Sequence, residues 1–341
     1  MMIFRGPRAR IVAVLAALMV AAAPPGWAQT YPSRPVQLVV GYAQGGTGDF
    51  VARLLAEKLT AVLGQPVGVE NRPGASGTAA AQGVARATPD GHTLLIGQPG
   101  EISINPMLMK DLGYDPARDL QPVALAAVSP LALVVQSTAP YSTVGEMTAA
   151  SLSSPRGLSF ASPGPGTPGH VAVELLRART RSRLNHVPFE GGGPALDALI
   201  AGQVDMYFAV LPSAMPHVTS GKLKILAVSS ARRSVAVPNV PTVAEQTGIR
   251  GFELTNWVGV FARRGTPADI VARLNQETNQ VLGQPDVVER LVRHGAEAAP
   301  MSADQFADLL RSESRKYEAL LRDELCAKLL YGGCMGFVAL P

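Results

Sequence analysis

The chain has 341 residues, of which 47% are apolar, 16% charged and 5% aromatic, with a formal net charge of +4. That length suits two lobes of roughly 150 residues each rather than one compact core. Abundant apolar residues exclude disorder, and the scarcity of aromatics excludes a stacking platform for nucleic acid.

Arg5, Arg8 and Arg10 precede an apolar run from Ile11 to Ala23. Gly26-Trp27-Ala28 then puts small residues three and one before Gln29. This is the pattern of a secretory signal peptide over residues 1–28, and it predicts export to the periplasm. The run is too short for a spanning helix, which needs about 20 apolar residues. Removing the three arginines takes the net charge from +4 to +1. No later basic cluster exceeds pairs such as Arg232-Arg233 or Arg263-Arg264, so no nucleic-acid partner is expected.

Beyond residue 28 the pattern alternates β-rich and helical runs, the signature of an α/β fold with mostly parallel sheets and helices on both faces. Val36–Tyr42 reads as a buried strand, Phe50–Leu63 as an amphipathic helix, Val67–Glu70 and Thr93–Ile96 as strands. The alternation restarts with strand Leu131–Val135, helix Val144–Ala150, strand Leu158–Ala161 and helix Val171–Ala178. Strand His186–Phe189, helix Pro194–Ala201 with proline at its first position, and strands Asp205–Ala209 and Ile225–Ser229 follow. Strand Trp257–Ala262 then leads to two helices opened by Thr266-Pro267-Ala268-Asp269 and Ser302-Ala303-Asp304-Gln305, both read as capping boxes or close to it.

No tether rich in Pro, Gly or Ser separates the lobes, so the chain is expected to cross between them twice, near Leu131 and near Thr255. That predicts a discontinuous first lobe of residues 29–130 plus 255–341 and a second lobe of 131–254, with hinge strands at the crossings. The two cysteines, Cys326 and Cys334, lie in the tail, where an oxidising compartment would permit a small disulfide loop. The five histidines lack ligand spacing, so neither a metal nor another cofactor is expected.

Two segments share one architecture. Strand Val36–Tyr42 runs into Ala43-Gln44-Gly45-Gly46-Thr47-Gly48-Asp49 and a helix. Strand Leu158–Ala161 runs into Ser162-Pro163-Gly164-Pro165-Gly166-Thr167-Pro168-Gly169-His170 and a helix. A helix N-terminus offers unpaired N–H groups and partial positive charge, and glycine lets a ligand approach the backbone. One such loop per lobe suits a small carboxylate held across a cleft, with Ser162 and Thr167 adding hydroxyls. Asp49 reads first as a first-turn acid complementing its own helix.

The second loop is also literally G-x-G-x-x-G, with Glu190 about 20 residues on, a pattern found in dinucleotide sites. Pro165 and Pro168 stiffen that turn and remove donors, so a nicotinamide enzyme is the weaker alternative. A hydrolase using Ser162 is another, although no G-x-S-x-G occurs. A carboxylate sensor for a membrane signalling partner would share the same pocket.

Several blocks in order resemble the tripartite tricarboxylate transporter receptor family, also called the Bordetella uptake gene receptors. They include Tyr31-Pro32-Ser33-Arg34-Pro35-Val36, Gly45-Gly46-Thr47-Gly48-Asp49, Glu70-Asn71-Arg72-Pro73-Gly74-Ala75 and Pro89-Asp90-Gly91-His92-Thr93-Leu94-Leu95. Ile104-Asn105-Pro106, His186-Val187-Pro188-Phe189, Gly202-Gln203-Val204-Asp205, Leu211-Pro212-Ser213-Ala214 and Pro238-Asn239-Val240-Pro241-Thr242 continue the match. The resemblance implies a monomeric, two-lobed Venus-flytrap binding protein of type II, not an enzyme, handing a di- or tricarboxylate or an aromatic acid to permease subunits of a tripartite carrier. It implies ligand contacts from Tyr42, Ala43, Gln44, Gly45, Gly46, Thr47 and Asp49, from Ser162, Gly166, Thr167 and His170, and from Ala209, Pro212 and Ser213. Gln44 stands where relatives usually have proline, and Ala209-Val210 where many have Asp-Asn. Losing that acid removes an ammonium partner and points to a plain carboxylate. The Cys-containing tail also departs from the family's usual ending.

Overall fold

The structure is a computed structural model that describes residues 31–320. The expected signal peptide, Cys326, Cys334 and the divergent tail lie outside the described residues.

Strands β1 (Val36–Val40), β2 (Val67–Asn71) and β3 (Thr93–Gly97) pair in parallel, with β1 between the other two. Helices α1 (Thr47–Leu63) and α2 (Thr78–Ala85) connect them. Burial on both faces explains why β1 is apolar at every position but the half-buried Gln37. Leu38 and Val40 point toward one core with Leu54, Leu55 and Leu59 of α1, while Val39 points into another with Ala80, Ala81 and Val84 of α2.

The 17-residue strand β4 (Leu120–Gln136) joins the two halves of the molecule. Its residues 120–130 pair antiparallel with β9 (Thr255–Arg263), which also pairs antiparallel with β3. Its residues 131–136 belong to the other lobe, built with α3 (Val144–Ser153), β5 (Leu158–Ser162), α4 (Pro168–Thr180), β6 (Leu184–Pro188) and α5 (Gly192–Ile200). That lobe is completed by β7 (Met206–Val210), α6 (Leu211–Thr219), β8 (Leu223–Val228) and α7 (Val243–Thr247). Here too the period-2 rule divides one strand between two cores, with Leu131, Leu133 and Val135 on one side and Ala132 and Val134 on the other. The parallel character expected from the sequence holds for β1–β3 and β5–β7. Every antiparallel pair involves β4 or β9.

Helices α8 (Ala268–Leu282) and α9 (Pro285–Arg293) cover the first lobe, and the short strand β10 (Glu297–Ala298) adds to β4. The last described helix, α10 (Ala303–Leu320), spans both lobes. Phe306 packs against Trp257 and Phe261, while Tyr317 and Leu320 join the second-lobe core. This third link was not anticipated.

Two local expectations are corrected. Helix α5 begins at Gly192, after the left-handed Gly191, so Pro194 occupies its third position, where its missing N–H leaves no helical bond unmade. The Ser302 box does form, with Gln305 N–H donating to Ser302 Oγ and Ser302 N–H to Gln305 Oε1. Thr266 instead donates to the Arg263 carbonyl, and α8 starts after Pro267. A box missed in the sequence joins Thr242 and Glu245 at α7. Replacing Thr242 with alanine is expected to cost about 1 kcal/mol in urea unfolding, with ligand affinity unchanged.

Candidate functional site

Strand β1 ends at Val40, and the chain turns through Gly45, whose φ of +85° suits glycine, to start α1 after Gly46. No side chain caps this helix, so the N–H groups of Thr47 and Gly48 are unpaired. Gly48 has a steric reason to be glycine, because a Cβ there would sit 2.8 Å from Gln98 Nε2. Asp49 serves the loop itself. Its carboxylate accepts from the Gly45 N–H at 3.1 Å and from Arg53 Nε at 3.0 Å. Burial pushes this carboxyl up, but Arg53, the Gly45 N–H and Asn71 together hold it below its ordinary value.

The second loop consumes many of its own donors. Gly164 N–H donates to Ser162 Oγ, Thr167 Oγ1 to the Gly164 carbonyl, and Gly166 N–H to His170 Nδ1. Ser162 Oγ also bonds His186 Nε2 at 2.6 Å, and the His170 and His186 rings stack 4.3 Å apart over Phe160. Burial lowers His170 to about 3, aided by His186 and Arg177, and lowers His186 to about 4, aided by Arg177. The pair is therefore neutral and structural, stiffening the loop from behind.

The lobes meet over a cleft that, together with the open solvent space at its mouth, amounts to about 510 Å³. Four helices begin on its wall, α1, α4, α5 and α6, after Gly46, Thr167, Gly191 and Val210, and none has a side-chain cap. Thr143, Thr242 and Ser302 do cap helices elsewhere. Among the described residues no charged side chain lines this cleft. Two hydrogen bonds among the described residues cross between the lobes, Thr47 Oγ1 to Ser213 Oγ at 3.1 Å and Ser76 Oγ to the Pro165 carbonyl at 2.7 Å.

Of the residues expected at the ligand, the wall contains Tyr42, Gly46, Thr47, Thr167 and Ser213. Ala43, Gln44, Gly45, Asp49, Ser162, Gly166, His170, Ala209 and Pro212 are not on it. Ala43 and Gln44 abut Gly191 and Gly193, Gly166 abuts Asn105, and Ala209 is buried in the second-lobe core. Gln98, Tyr207 and Asn256 line the cleft although the sequence did not single them out. Gln98 follows β3 at its carboxyl end, the usual place for ligand groups in α/β sheets, and that rule could have found it.

Behind the wall lies a buried acid. Glu101 is fully enclosed; its Oε1 accepts the Gln98 N–H at 2.8 Å, and Oε2 meets the Tyr42 hydroxyl at 2.9 Å. Burial pushes its carboxyl up to about 8, against the opposing N–H groups of Glu101 and Gln98 and the Tyr42 hydroxyl.

A family model described as "Tripartite tricarboxylate transporter family receptor" matches residues 51–325. The chain belongs to this family. A Pseudomonas protein encoded in the tcbD–tcbE intergenic region is 39% identical over 85% of this chain and 86% of its own length. BugT of Bordetella pertussis is 33% identical over 92% and 97%. Among solved structures, MatC from Rhodopseudomonas palustris with bound malate is 37% identical, covering 85% of this chain and all of its own, with a TM-score of 0.81. An R. palustris protein with adipate is 34% identical, covering 86% and 97%, with a TM-score of 0.83. A ligand-free receptor from Polaromonas is 28% identical, covers 86% and 99%, and gives 0.63.

Proposed function

We propose that this receptor is exported to the periplasm, closes around a small carboxylate that carries no ammonium group, and delivers it to permease subunits of a tripartite carrier. The observation that carries this reading is the convergence of four uncapped helix N-termini on one cleft without a charged side chain. Such a wall attracts an anion through N–H groups and helix dipoles. Each charge-assisted bond contributes about 1.5–3 kcal/mol, and micromolar affinity requires about −8 kcal/mol. A handful of bonds suffices after the cost of ordering the ligand.

The malate and adipate in the two R. palustris relatives support the ligand class. The two bonds between the lobes support a closed conformation. Lobe boundaries at Pro130/Leu131 and Leu254/Thr255 agree with the change of strand partners along β4. An ammonium ligand lacks a counter-charge, because Asp49 is held by Arg53 and Val210 presents no acid. The buried Ser162, held by His186 and absent from the wall, lacks the access a nucleophile requires.

The test is thermal denaturation of the mature protein with a panel of mono-, di- and tricarboxylates, aromatic acids and amino acids. A saturable rise in Tm with at least one plain carboxylate, without turnover, is the expected result. A panel in which no organic acid moves the Tm overturns the reading.

A further inference from the structure

Tyr207 is 1% exposed, it lines the cleft, and its hydroxyl has no hydrogen-bond partner among the described residues. Tyr31, Tyr42, Tyr114 and Tyr141 each donate to an oxygen. Tyr317 is also unpaired, but it packs in the core and does not line the cleft. Unlike the sealed Tyr317 hydroxyl, that of Tyr207 keeps contact with the cleft, so its hydrogen bonding is completed by whatever occupies the cleft, water or ligand. At Tyr207 the neighbourhood says what that is. Its ring lies between the starts of α4 and α5, so that a Cβ on Gly169 would meet Tyr207 Cε2 at 3.6 Å and one on Gly192 would meet the hydroxyl at 3.5 Å. The hydroxyl therefore stands beside two uncapped helix N-termini of the second lobe.

The first lobe has a counterpart. Gln98 Oε1 accepts from Asn256 Nδ2 at 3.3 Å, which turns Nε2 toward Gly48 at the start of α1. Each lobe thus presents uncapped helix N–H groups and, besides the paired Thr47 and Ser213 hydroxyls, a neutral side-chain donor without a protein acceptor, Gln98 on one side and Tyr207 on the other. A ligand with an oxygen acceptor at each end satisfies both.

We propose that the Tyr207 hydroxyl is the second-lobe donor to one carboxylate of a dicarboxylate, whose other carboxylate lies against Gly48 and Gln98. This rests on the carboxylate-receptor reading and narrows it from carboxylates in general to dicarboxylates without an ammonium group.

The experiment is calorimetric titration of the wild-type protein and Tyr207→Phe with straight-chain dicarboxylates and with monocarboxylates of equal chain length. The substitution removes one oxygen and keeps the ring. Dicarboxylate affinity is expected to fall about tenfold or more, with monocarboxylate affinity changed by less than about twofold. The ligand-free Tm of the variant should equal or exceed that of the wild type, because the lost hydroxyl had no partner in the protein. Unchanged dicarboxylate affinity in the variant overturns the assignment, and so does an equal loss for both ligand classes. A wild-type protein that binds only monocarboxylates also overturns it while leaving the receptor reading standing. One that binds no carboxylate overturns the receptor reading itself.

Discussion

Folding stability is expected to peak near pH 6.5 and to fall on both sides, with Glu101→Gln removing the fall on the alkaline side alone. Glu101 has its folded value raised from 4.5 to about 8 by burial. Below pH 4.5 both folded and unfolded chains hold this proton, and its contribution is complete. Between 4.5 and about 8 only the folded chain holds it, so stability drops by about 1.4 kcal/mol per pH unit as pH rises. His170 and His186 act in the opposite sense, since burial lowers them from 6.5 to about 3 and about 4. From there up to 6.5 the unfolded chain alone is protonated at these rings, so stability rises with pH. Two histidines outweigh one acid below 6.5, and above it the acid acts alone until about 8.

Geometry supports the same protonation states. His170 Nδ1 accepts the Gly166 N–H, which a protonated ring could not do. The Tyr42 hydroxyl has one proton and two neighbours, the Ser76 carbonyl at 3.0 Å and Glu101 Oε2 at 2.9 Å. A protonated Glu101 donates to Tyr42, which donates to Ser76, and every group is satisfied. Glutamine reproduces that pattern with its amide N–H. Urea unfolding at pH 5, 6.5 and 8 checks the expectation: wild-type stability drops by on the order of 1 kcal/mol from pH 6.5 to 8, and Glu101→Gln shows no drop. A variant that keeps the wild-type decline would place the titrating group elsewhere.

The strands were legible because both faces of each sheet are covered. Leu131–Val135 is apolar at every position and Val36–Val40 at every position but Gln37, and that near-continuity survives translation into structure. The same continuity hid Tyr207. In a strand buried on both sides, alternation does not distinguish the side chain that faces a neighbouring helix from the one that reaches the cleft. Gln98 and Asn256 were hidden for another reason, because 158 residues separate them and only the pairing of β3 with β9 brings them together. The glycine-rich loops were found as loops, but their roles divided in ways a sequence does not record. Asp49 and His170 hold their own loops in shape, whereas Gly166 faces the other lobe.

That position of Gly166 makes it a residue whose replacement should oppose closure. Its φ is +75°, and a Cβ there would lie 2.5 Å from Asn105 Oδ1 and 3.2 Å from Leu108 Cδ1. Asn105 has no freedom to retreat, since it is fully buried and its Nδ2 donates to the Ser76 carbonyl and to Thr78 Oγ1, each at 3.1 Å. Gly166→Ala therefore has two separable effects. Left-handed backbone strain, on the order of 1 kcal/mol, is present whether the lobes are open or closed. The clash with Asn105 lies between the lobes as they meet here, so on the proposed closing motion it is expected to act on ligand affinity through the population of the closed state. Gly64→Ala isolates the first effect, because Gly64 has a φ of +70° at the end of α1 and open space around its Cβ. Both variants are expected to lose similar stability in urea. Gly166→Ala alone should weaken carboxylate binding, by about tenfold or more for a clash of 1.4 kcal/mol, and small-angle scattering should show it failing to compact when ligand is added. Equal affinities in the two variants would mean that Gly166 is needed only for its backbone conformation and that closure does not depend on the fit between its Cα and Asn105.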